Sequence, residues 1–116
     1  MKKFTQIKKV DTGILPLNTE LVYLNENDEQ VGSLLLVYEG TTSKVFSLQV
    51  LEEHRGKGYA KQLMSLAIER SKERGSQLIE LNTEIDNTPA NSLYERLGFE
   101  LVGYKFGFNN YQLKLS

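Results

Sequence analysis

Three stretches in the first half of the chain are rich in strand-forming residues and are separated by short polar turns. The first two, 20–25 and 30–39, flank the polar residues 26–29, and a second turn at 39–43 leads into the third stretch, 44–51. Sequential strands with short connections usually pair as antiparallel neighbours. The pattern therefore predicts a three-stranded antiparallel meander.

The apolar spacing then changes from that of a strand to that of a helix. From 59 to 74, apolar residues recur three or four positions apart: Ala60, Leu63, Met64, Ala67 and Ile68. This is the spacing of one buried helical face. Gly75 follows as a natural C-terminal cap, and the residues 77–85 predict another strand.

A second helix is predicted within 86–98. Asn87 or Thr88 can serve as its N-cap, and Pro89 suits its first turn. Its apolar stripe consists of Ala90, Leu93, Tyr94 and Leu97. Gly98 ends this helix, because glycine readily takes the left-handed backbone that follows a helix.

The chain closes with a predicted hairpin, whose strands 99–106 and 111–115 flank a turn at 107–110. The strand–helix–strand crossover requires one parallel strand pair inside an otherwise antiparallel sheet. We therefore predict a single α+β domain, 1–116, with a mixed, mostly antiparallel central sheet and helices packed on it. Residues 11–19 leave room for a short helical turn or none.

The composition confines any anion binding to a local site. The 116 residues are 40% hydrophobic and 25% charged, with a net charge of -1. This is ordinary for a folded domain and argues against a general nucleic-acid or membrane-surface binder. The basic N-terminus lacks the apolar run of a signal peptide, and no segment approaches a transmembrane length. We expect a cytoplasmic protein.

The residue types present also narrow the chemistry. The chain has no cysteine and one histidine, His54. Disulfides, thiol catalysis, zinc-thiolate sites and a histidine-rich metal site are therefore excluded, and we predict no metal.

One ten-residue stretch, "HRGKGYAKQL" from His54 to Leu63, concentrates positive charge and bare backbone at a predicted helix start. Exposed amides and the helix dipole attract anions there, and Gly56 and Gly58 remove side chains that would block close approach. Arg55 and Lys57 add charge. These residues suit a phosphate or pyrophosphate. They are equally consistent with a glycine turn that carries solvated charges.

Two segments resemble motifs of the GNAT superfamily of N-acyltransferases. "RGKGYA" resembles the acyl-coenzyme A pyrophosphate motif Arg/Gln-x-x-Gly-x-Gly/Ala, and "NTPANSLYERLGF" resembles Asn-x-x-Ala-x-x-Leu-Tyr-x-x-x-Gly-Phe. One helix and one strand separate them, as in the family, and the resemblance extends from about Leu21 to the C-terminus. It implies an acyl-CoA-dependent N-acyltransferase, most simply using acetyl-CoA, whose parallel strand pair splays around the cofactor.

The resemblance also implies site residues. The pyrophosphate loop would be His54, Arg55, Gly56, Lys57, Gly58, Tyr59 and Ala60, with Leu51 beside the pantetheine arm. Asn87 matches an asparagine that contacts the cofactor. Tyr94 matches a tyrosine that protonates the departing thiolate, although a tyrosine on an apolar stripe also suits a core. The chain departs from the family at 11–19, so the first helical pair is reduced or absent.

The acceptor amine must lose a proton before it attacks the thioester and forms a tetrahedral intermediate. A lysine-like amine of pKa about 10.4 pays about 4–5 kcal/mol to be neutral at pH 7. Strand alternation places Glu80, Asn82 and Glu84 opposite Ile79, Leu81 and Ile85, and places Ser47 and Gln49 opposite Phe46, Leu48 and Val50. The polar faces indicate a cleft or simply a solvated surface. Glu80 and Glu84 are the candidate bases, followed by Asp86.

Other functions and partners stay open at this stage. The alternative to an enzyme is a non-catalytic GNAT-fold module that binds coenzyme A or a protein partner. The acceptor is a small molecule or a protein amine, a homodimer is possible, and neither nucleic acid nor membrane is expected. Four aromatic residues either line the acceptor site or pack on the sheet: Tyr104, Phe106, Phe108 and Tyr111.

Overall fold

The computed structural model describes residues 3–9, for which only the backbone is considered, and residues 18–115. Its strands are β1 (Lys3–Lys9), β2 (Thr19–Glu26), β3 (Glu29–Glu39), β4 (Thr42–Val50), β5 (Leu78–Glu84), β6 (Glu100–Lys105) and β7 (Phe108–Lys114). Its helices are α1 (Tyr59–Glu73) and α2 (Thr88–Arg96), and a single 3₁₀ turn, Glu52–His54, precedes α1. The predicted reduction of the first helical pair lies outside the described residues.

The described strands form one mixed sheet in the order β1-β2-β3-β4-β5-β7-β6. Only the pair β4–β5 is parallel among them, as the crossover pattern predicts. That pairing is short, because it joins only Thr42–Lys44 to Leu78–Glu80. Beyond these residues, β4 pairs only with β3 and β5 only with β7. The two central strands therefore separate toward their C-terminal ends.

The hydrophobic pattern does not predict strand β1. It pairs antiparallel with β2, from Lys3 opposite Glu26 to Lys9 opposite Glu20. Lysines interrupt any alternation in this segment, so its conformation follows from pairing with β2 rather than from its own sequence. Lysine-rich strands are typical of sheet edges, where charge discourages pairing with other chains.

The turn of the closing hairpin differs from the prediction of 107–110. It consists of Phe106 and Gly107, whose φ angles are 54° and 83°, and β7 begins at Phe108. Two residues of positive φ suit the twist of a tight hairpin. Asn109 and Asn110 therefore belong to the strand, where they pair with Thr83 and Asn82 of β5.

A bulge in β4 makes the predicted placement of Phe46 wrong, whereas Leu48 and Val50 lie opposite Ser47 and Gln49 as predicted. The register with β3 shifts between Ser33 and Leu35, and Ser47 takes a positive φ of 58°. The extra residue reverses the faces, because side chains alternate strictly only in a regular strand. Val45 is buried before the bulge and Val50 after it, whereas Phe46 is 48% exposed.

Both helices pack against the same face of the sheet. A Cβ on Gly32 of β3 would lie 3.0 Å from the Leu63 side chain of α1, so this glycine admits α1 closely. The ring of Tyr94 on α2 lies 5.7 Å from that of Tyr111 on β7. One buried cluster joins the two helices to the sheet through Leu63, Met64, Ala67, Leu93, Tyr94, Leu34, Leu36, Ile79 and Tyr111. In the described part of the chain, no helix could cross a membrane.

A buried carboxylate fixes the C-terminal half of α1 to the sheet. Glu20 of β2 is 2% exposed and accepts hydrogen bonds from Arg70 Nη2 at 2.7 Å, Arg74 Nη1 at 2.9 Å and Tyr38 Oη at 2.7 Å. The Arg70 guanidinium beside it lowers the pKa of Glu20, although burial opposes the shift. Charge-assisted bonds of this kind are the strong ones.

The Glu20 network predicts a specific acid sensitivity. A lowered pKa contributes stability that is fully present above the unfolded value of 4.5 and is lost as the pH falls through the folded pKa. We expect Glu20→Gln to reduce the free energy of unfolding by about 1–3 kcal/mol at pH 7, because it leaves the arginines unpaired. Urea denaturation should show this deficit shrinking between pH 5 and pH 3.

Glu69→Gln on the exposed face of α1 is the matched control, and it should leave stability within about 0.5 kcal/mol of the parent. A Glu20→Gln deficit that stays constant with pH would contradict the role given to the buried carboxylate.

Candidate functional site

The loop between β4 and α1 places two glycines in left-handed backbone. Gly56 and Gly58 both have φ of +82°, and a Cβ on either would meet no atom within 4 Å. The backbone conformation therefore favours glycine at these positions, whereas packing does not. The open space leaves the loop backbone accessible to a ligand.

Helix α1 begins directly after this loop without a side-chain cap. Gly58 is its N-cap, and the first helical bond runs from Gln62 N to Gly58 O at 3.1 Å. The amides of the first turn have no partner within the helix. Together with the positive end of the helix dipole, they form a site suited to an anion such as a phosphate.

The basic side chains of the loop take different directions. Arg55 Nε donates to Val50 O at 3.0 Å, so its guanidinium lies back along the end of β4. Lys57 is exposed, and its Nζ lies 3.4 Å from His54 Nδ1 and 6.0 Å from the centre of the Tyr59 ring. Lys57 can therefore reach an anion at the helix start with little cost of desolvation.

His54 and Tyr59 face the turn between β2 and β3. Tyr59 Oη donates to Glu26 Oε1 at 2.7 Å, and His54 Nδ1 lies 3.4 Å from the same oxygen. His54 Nε2 lies 3.9 Å from Glu29 Oε1. The structure thus places the imidazole among carboxylates and the Lys57 ammonium. Glu26 connects the start of α1 to the meander.

Glu29, Glu53 and His54 form a group of possible metal ligands. One ligand atom of each lies within 4.8 Å of the others, and both glutamates are exposed. Exposed acidic groups commonly meet in this way without binding an ion, so the group carries no metal assignment.

The separation of β4 and β5 opens a cleft of about 320 Å³. Its polar lining consists of Lys44, Glu80, Asn82, Asn110 and Gln112, and its apolar lining of Val45, Phe46, Leu81, Val102 and Tyr111. The paired positions Lys44–Glu80, Glu80–Gln112 and Asn82–Asn110 show that these polar side chains share one face. The polar strand faces of the sequence therefore border a cleft.

The structure separates the candidate bases. Glu80 lines the cleft, and its Oε2 accepts a hydrogen bond from Gln112 Nε2 at 3.0 Å. Glu84 and Asp86 are exposed, and neither is among the cleft-lining residues. Of the three carboxylates, Glu80 is the one that lines the cleft. Gln112 is not apparent from the sequence, because only the β5–β7 register brings it to Glu80.

Tyr94 lies behind the cleft rather than in its lining. It is 5% exposed and packs between Tyr111, at 5.7 Å, and Phe99, at 5.9 Å between ring centres. Burial first, and then Tyr111, raise the pKa of Tyr94 to about 12. At neutral pH the side chain is therefore a protonated phenol. Its burial fits a core tyrosine. It also lies one ring away from the cleft, because its neighbour Tyr111 lines the cleft, and this position fits a proton donor as well.

The end of β4 presents backbone toward the gap. Leu51 is 41% exposed, and its N–H donates to Val31 O on the β3 side at 2.9 Å. Because backbone groups alternate between the two edges of a strand, those of Val50 face the gap. There the Val50 carbonyl accepts from Arg55 Nε.

Two asparagines occupy the start of α2. Asn87 is the N-cap, as predicted, and its side chain accepts from Ala90 N at 3.3 Å. The side-chain amide of Asn91 forms hydrogen bonds to the end of β5, to α2 and to β7. These contacts could not be predicted from the sequence, because they join residues of three separate elements.

The chain is similar in sequence to known acetyltransferases. The chain is 40% identical over 79 residues to N-alpha-acetyltransferase 30 of Schizosaccharomyces pombe, a match that covers 64% of this chain and 53% of that protein. It is 39% identical over 61 residues to a mycothiol acetyltransferase of Corynebacterium jeikeium, covering 53% of this chain and 18% of that protein. The chain thus spans about half, or less, of these curated relatives.

Solved structures share the fold. The ribosomal-protein-S18-alanine N-acetyltransferase of Escherichia coli superposes with a TM-score of 0.83 at 16% identity, over 97% of this chain and 95% of that one. The PaiA N-acetyltransferase of Thermoplasma acidophilum, in complex with coenzyme A, gives 0.81 at 18% identity, over 84% and 62%.

Most of the chain matches the sequence model of one protein family. The model of the acetyltransferase (GNAT) family matches residues 7–99, which include both sequence motifs and the whole cleft-forming strand pair. This match confirms the resemblance carried by the glycine loop and the segment around Tyr94. The chain belongs to the GNAT family of acetyltransferases.

Proposed function

We propose that this chain is an acetyl-CoA-dependent N-acetyltransferase that transfers the acetyl group to a primary amine by direct attack. The observation that carries the proposal is the geometry along β4. The separation from β5 opens a cleft beside the middle of this strand, and the uncapped start of α1 follows its end. An anionic cofactor and an acceptor can then be held along one element.

The loop residues fit the pyrophosphate of coenzyme A. Left-handed Gly56 and Gly58 leave the backbone open, and the first-turn amides of α1 lack helical partners. Lys57 supplies exposed positive charge. When bound, acetyl-CoA supplies an activated acyl group as its thioester. The protein contributes positioning, which is a large part of catalysis between two bound reactants.

Glu80 is the base that the cleft supports best. The amine must lose one proton to attack, and Glu80 can accept it directly or through a water molecule. Gln112 donates to one carboxylate oxygen, Oε2, at 3.0 Å, which leaves Oε1 available. The C–N bond forms as the thioester carbonyl opens to a tetrahedral oxyanion. When this intermediate collapses, the C–S bond breaks, the nitrogen loses its second proton, and the leaving thiolate requires a proton.

Tyr94 is the proposed donor of that proton. Its raised pKa of about 12 keeps the phenol protonated throughout the neutral range. The raised pKa also makes the phenol a weaker acid than a free tyrosine, so the transfer depends on the position of Tyr94 relative to the leaving sulfur. A polarised thioester carbonyl needs donors as well, and backbone amides at the separated strands can supply them.

An α-amino group is the acceptor class that we propose first. The similarity to N-alpha-acetyltransferase 30 supports it. An α-amine of pKa about 7.7–8.0 pays only about 1 kcal/mol to be neutral at pH 7, compared with about 4–5 kcal/mol for a lysine. A single carboxylate in a partly open cleft is therefore a sufficient base to deprotonate an α-amine. A cytoplasmic location and a homodimer stay predictions.

Cofactor binding is tested by thermal unfolding with and without acetyl-CoA. Ligand at about a hundred times its dissociation constant should stabilise the fold by about 2.7 kcal/mol. Lys57→Ala should weaken binding several-fold at low salt and less at high salt, because salt screens exposed charges. Lys72→Ala, on the far end of α1, is the control of equal charge. No stabilisation at millimolar acetyl-CoA would refute both the enzyme and a non-catalytic coenzyme A module.

The acid role is tested by Tyr94→Phe, which keeps the ring and its packing. We expect kcat for acetyl transfer to an N-terminal peptide amine to fall about 100-fold, with KM for acetyl-CoA nearly unchanged. Thiol release measures both parameters. A loss carried by KM instead would indicate that Tyr94 serves only packing or cofactor binding.

The base role is tested by Glu80→Gln, with Glu84→Gln as the comparison variant. Glu80→Gln should lower kcat about 100-fold near pH 7. The deficit should shrink as the pH rises above about 8, because a free α-amine is then neutral without help. An equal or larger loss in Glu84→Gln would refute the assignment to Glu80. Full activity of Glu80→Gln at every pH would do the same.

A further inference from the structure

The side-chain amide of Asn91 makes five polar contacts at the start of α2. Its Nδ2, which has two hydrogens to donate, lies within hydrogen-bond distance of three backbone oxygens, those of Glu84 at 3.0 Å, Ile85 at 3.2 Å and Asn87 at 2.8 Å. Its Oδ1 accepts from Asn109 Nδ2 at 2.9 Å and from Tyr111 Oη at 2.7 Å. One side chain thus joins the end of β5, the start of α2 and strand β7.

Asn91 lies beside the part of β5 that has a paired strand on one side only. The pairing of β5 with β4 ends at Glu80, whereas its pairing with β7 continues as far as Glu84 opposite Phe108. Asn91 bonds to the carbonyl of Glu84, the last residue of β5, and to that of Ile85, which follows it. It therefore holds the C-terminal end of β5 in place on the side of the cleft opposite β4.

The contact with Tyr111 extends this restraint to Tyr94. Tyr111 is 1% exposed, and its hydroxyl lies 2.7 Å from Asn91 Oδ1 and 3.4 Å from Glu95 Oε2. Its ring lies against Tyr94 at 5.7 Å and 54°, and also lines the cleft. Asn91 thus holds the hydroxyl of the ring that packs against Tyr94 and also lines the cleft.

The same contact distinguishes the two phenols. The Tyr111 hydroxyl is engaged by Asn91 and Glu95. The Tyr94 hydroxyl makes no hydrogen bond to any described residue, and the aromatic rings against which it packs are those of Tyr111 and Phe99. Of the paired tyrosines, Tyr94 is therefore the one whose proton is not already committed to a protein acceptor.

We propose that Asn91 is a positioning residue that holds Tyr94 in place to protonate the leaving thiolate, through Tyr111 and through the end of β5. This inference rests on the proposed function, in which Tyr94 is the acid. Asn91 occupies an unspecified position of the Asn-x-x-Ala-x-x-Leu-Tyr motif, so the assignment follows from its contacts in this chain. Geometry held to within a fraction of an ångström is what such a proton transfer requires.

The test is a double-mutant cycle between Asn91→Ala and Tyr94→Phe, read by kcat and by KM for acetyl-CoA. We expect Asn91→Ala alone to lower kcat about tenfold, with KM changed less than about twofold, because the acid is misplaced but the cofactor loop is intact. In the Tyr94→Phe background, Asn91→Ala should lower kcat no further, since no acid remains to be placed.

A purely structural Asn91 gives a different result. Asn91→Ala would then reduce kcat by the same factor in both backgrounds, and this would overturn the inference while leaving Tyr94 as the acid. A fully active Asn91→Ala beside an impaired Tyr94→Phe would overturn it too. If Tyr94→Phe itself is fully active, the acid assignment fails, and the inference fails with it.

Tyr111→Phe keeps the cycle interpretable if Asn91→Ala does not fold. It retains the buried ring and removes only the hydroxyl that bonds Asn91. We expect a smaller fall in kcat, again absent in the Tyr94→Phe background. An equal fall in both backgrounds would count against the inference. Ser92→Ala, the next residue of α2, is the control for general disturbance of the helix, and thermal unfolding confirms that each variant is folded.

Discussion

The site depends on an early end to the pairing of β4 and β5. The pairs Thr42–Leu78, Ser43–Ile79 and Lys44–Glu80 join the two strands, and the cleft begins at the last of these pairs. Unpaired backbone in a sheet interior is costly unless water or another group reaches it. The bulge at Ser47 lets β4 stay paired to β3 while it turns from β5. Asn91 and Arg55 bind the carbonyls of the two separated ends.

Helix α1 illustrates how a binding site is accommodated in a stable fold. Its first-turn amides are left without a side-chain cap, because glycine occupies the N-cap; compared with a side-chain cap this costs only about a few tenths of a kcal/mol. Its opposite end is held by the buried Glu20 network with Arg70 and Arg74. The Glu20 network thus lies at the end of the helix opposite the proposed anion site.

The sequence predicts the features that depend on local pattern and not those that depend on register. The two helices, the parallel crossover and the glycine loop follow from periodicity and turn residues in contiguous segments. Strand β1 and the bulge at Ser47 do not, because pairing with a neighbour decides them. The same division holds in the site. The proposed acid Tyr94 and the proposed base Glu80 come from motif and alternation, whereas Gln112 and Asn91 are recognised only through partners 32 and 20 positions away.

The tight turn at Phe106 has a consequence for the energetics of the hairpin. A bulky residue in left-handed backbone costs about 1–2 kcal/mol relative to glycine. The Phe106 ring is 87% exposed, so its burial offsets little of this conformational cost. Asparagine or glycine at this position would give a more stable hairpin with the same turn. The fold therefore carries a local strain at its surface that its own stability does not require, held in place by the strands on either side.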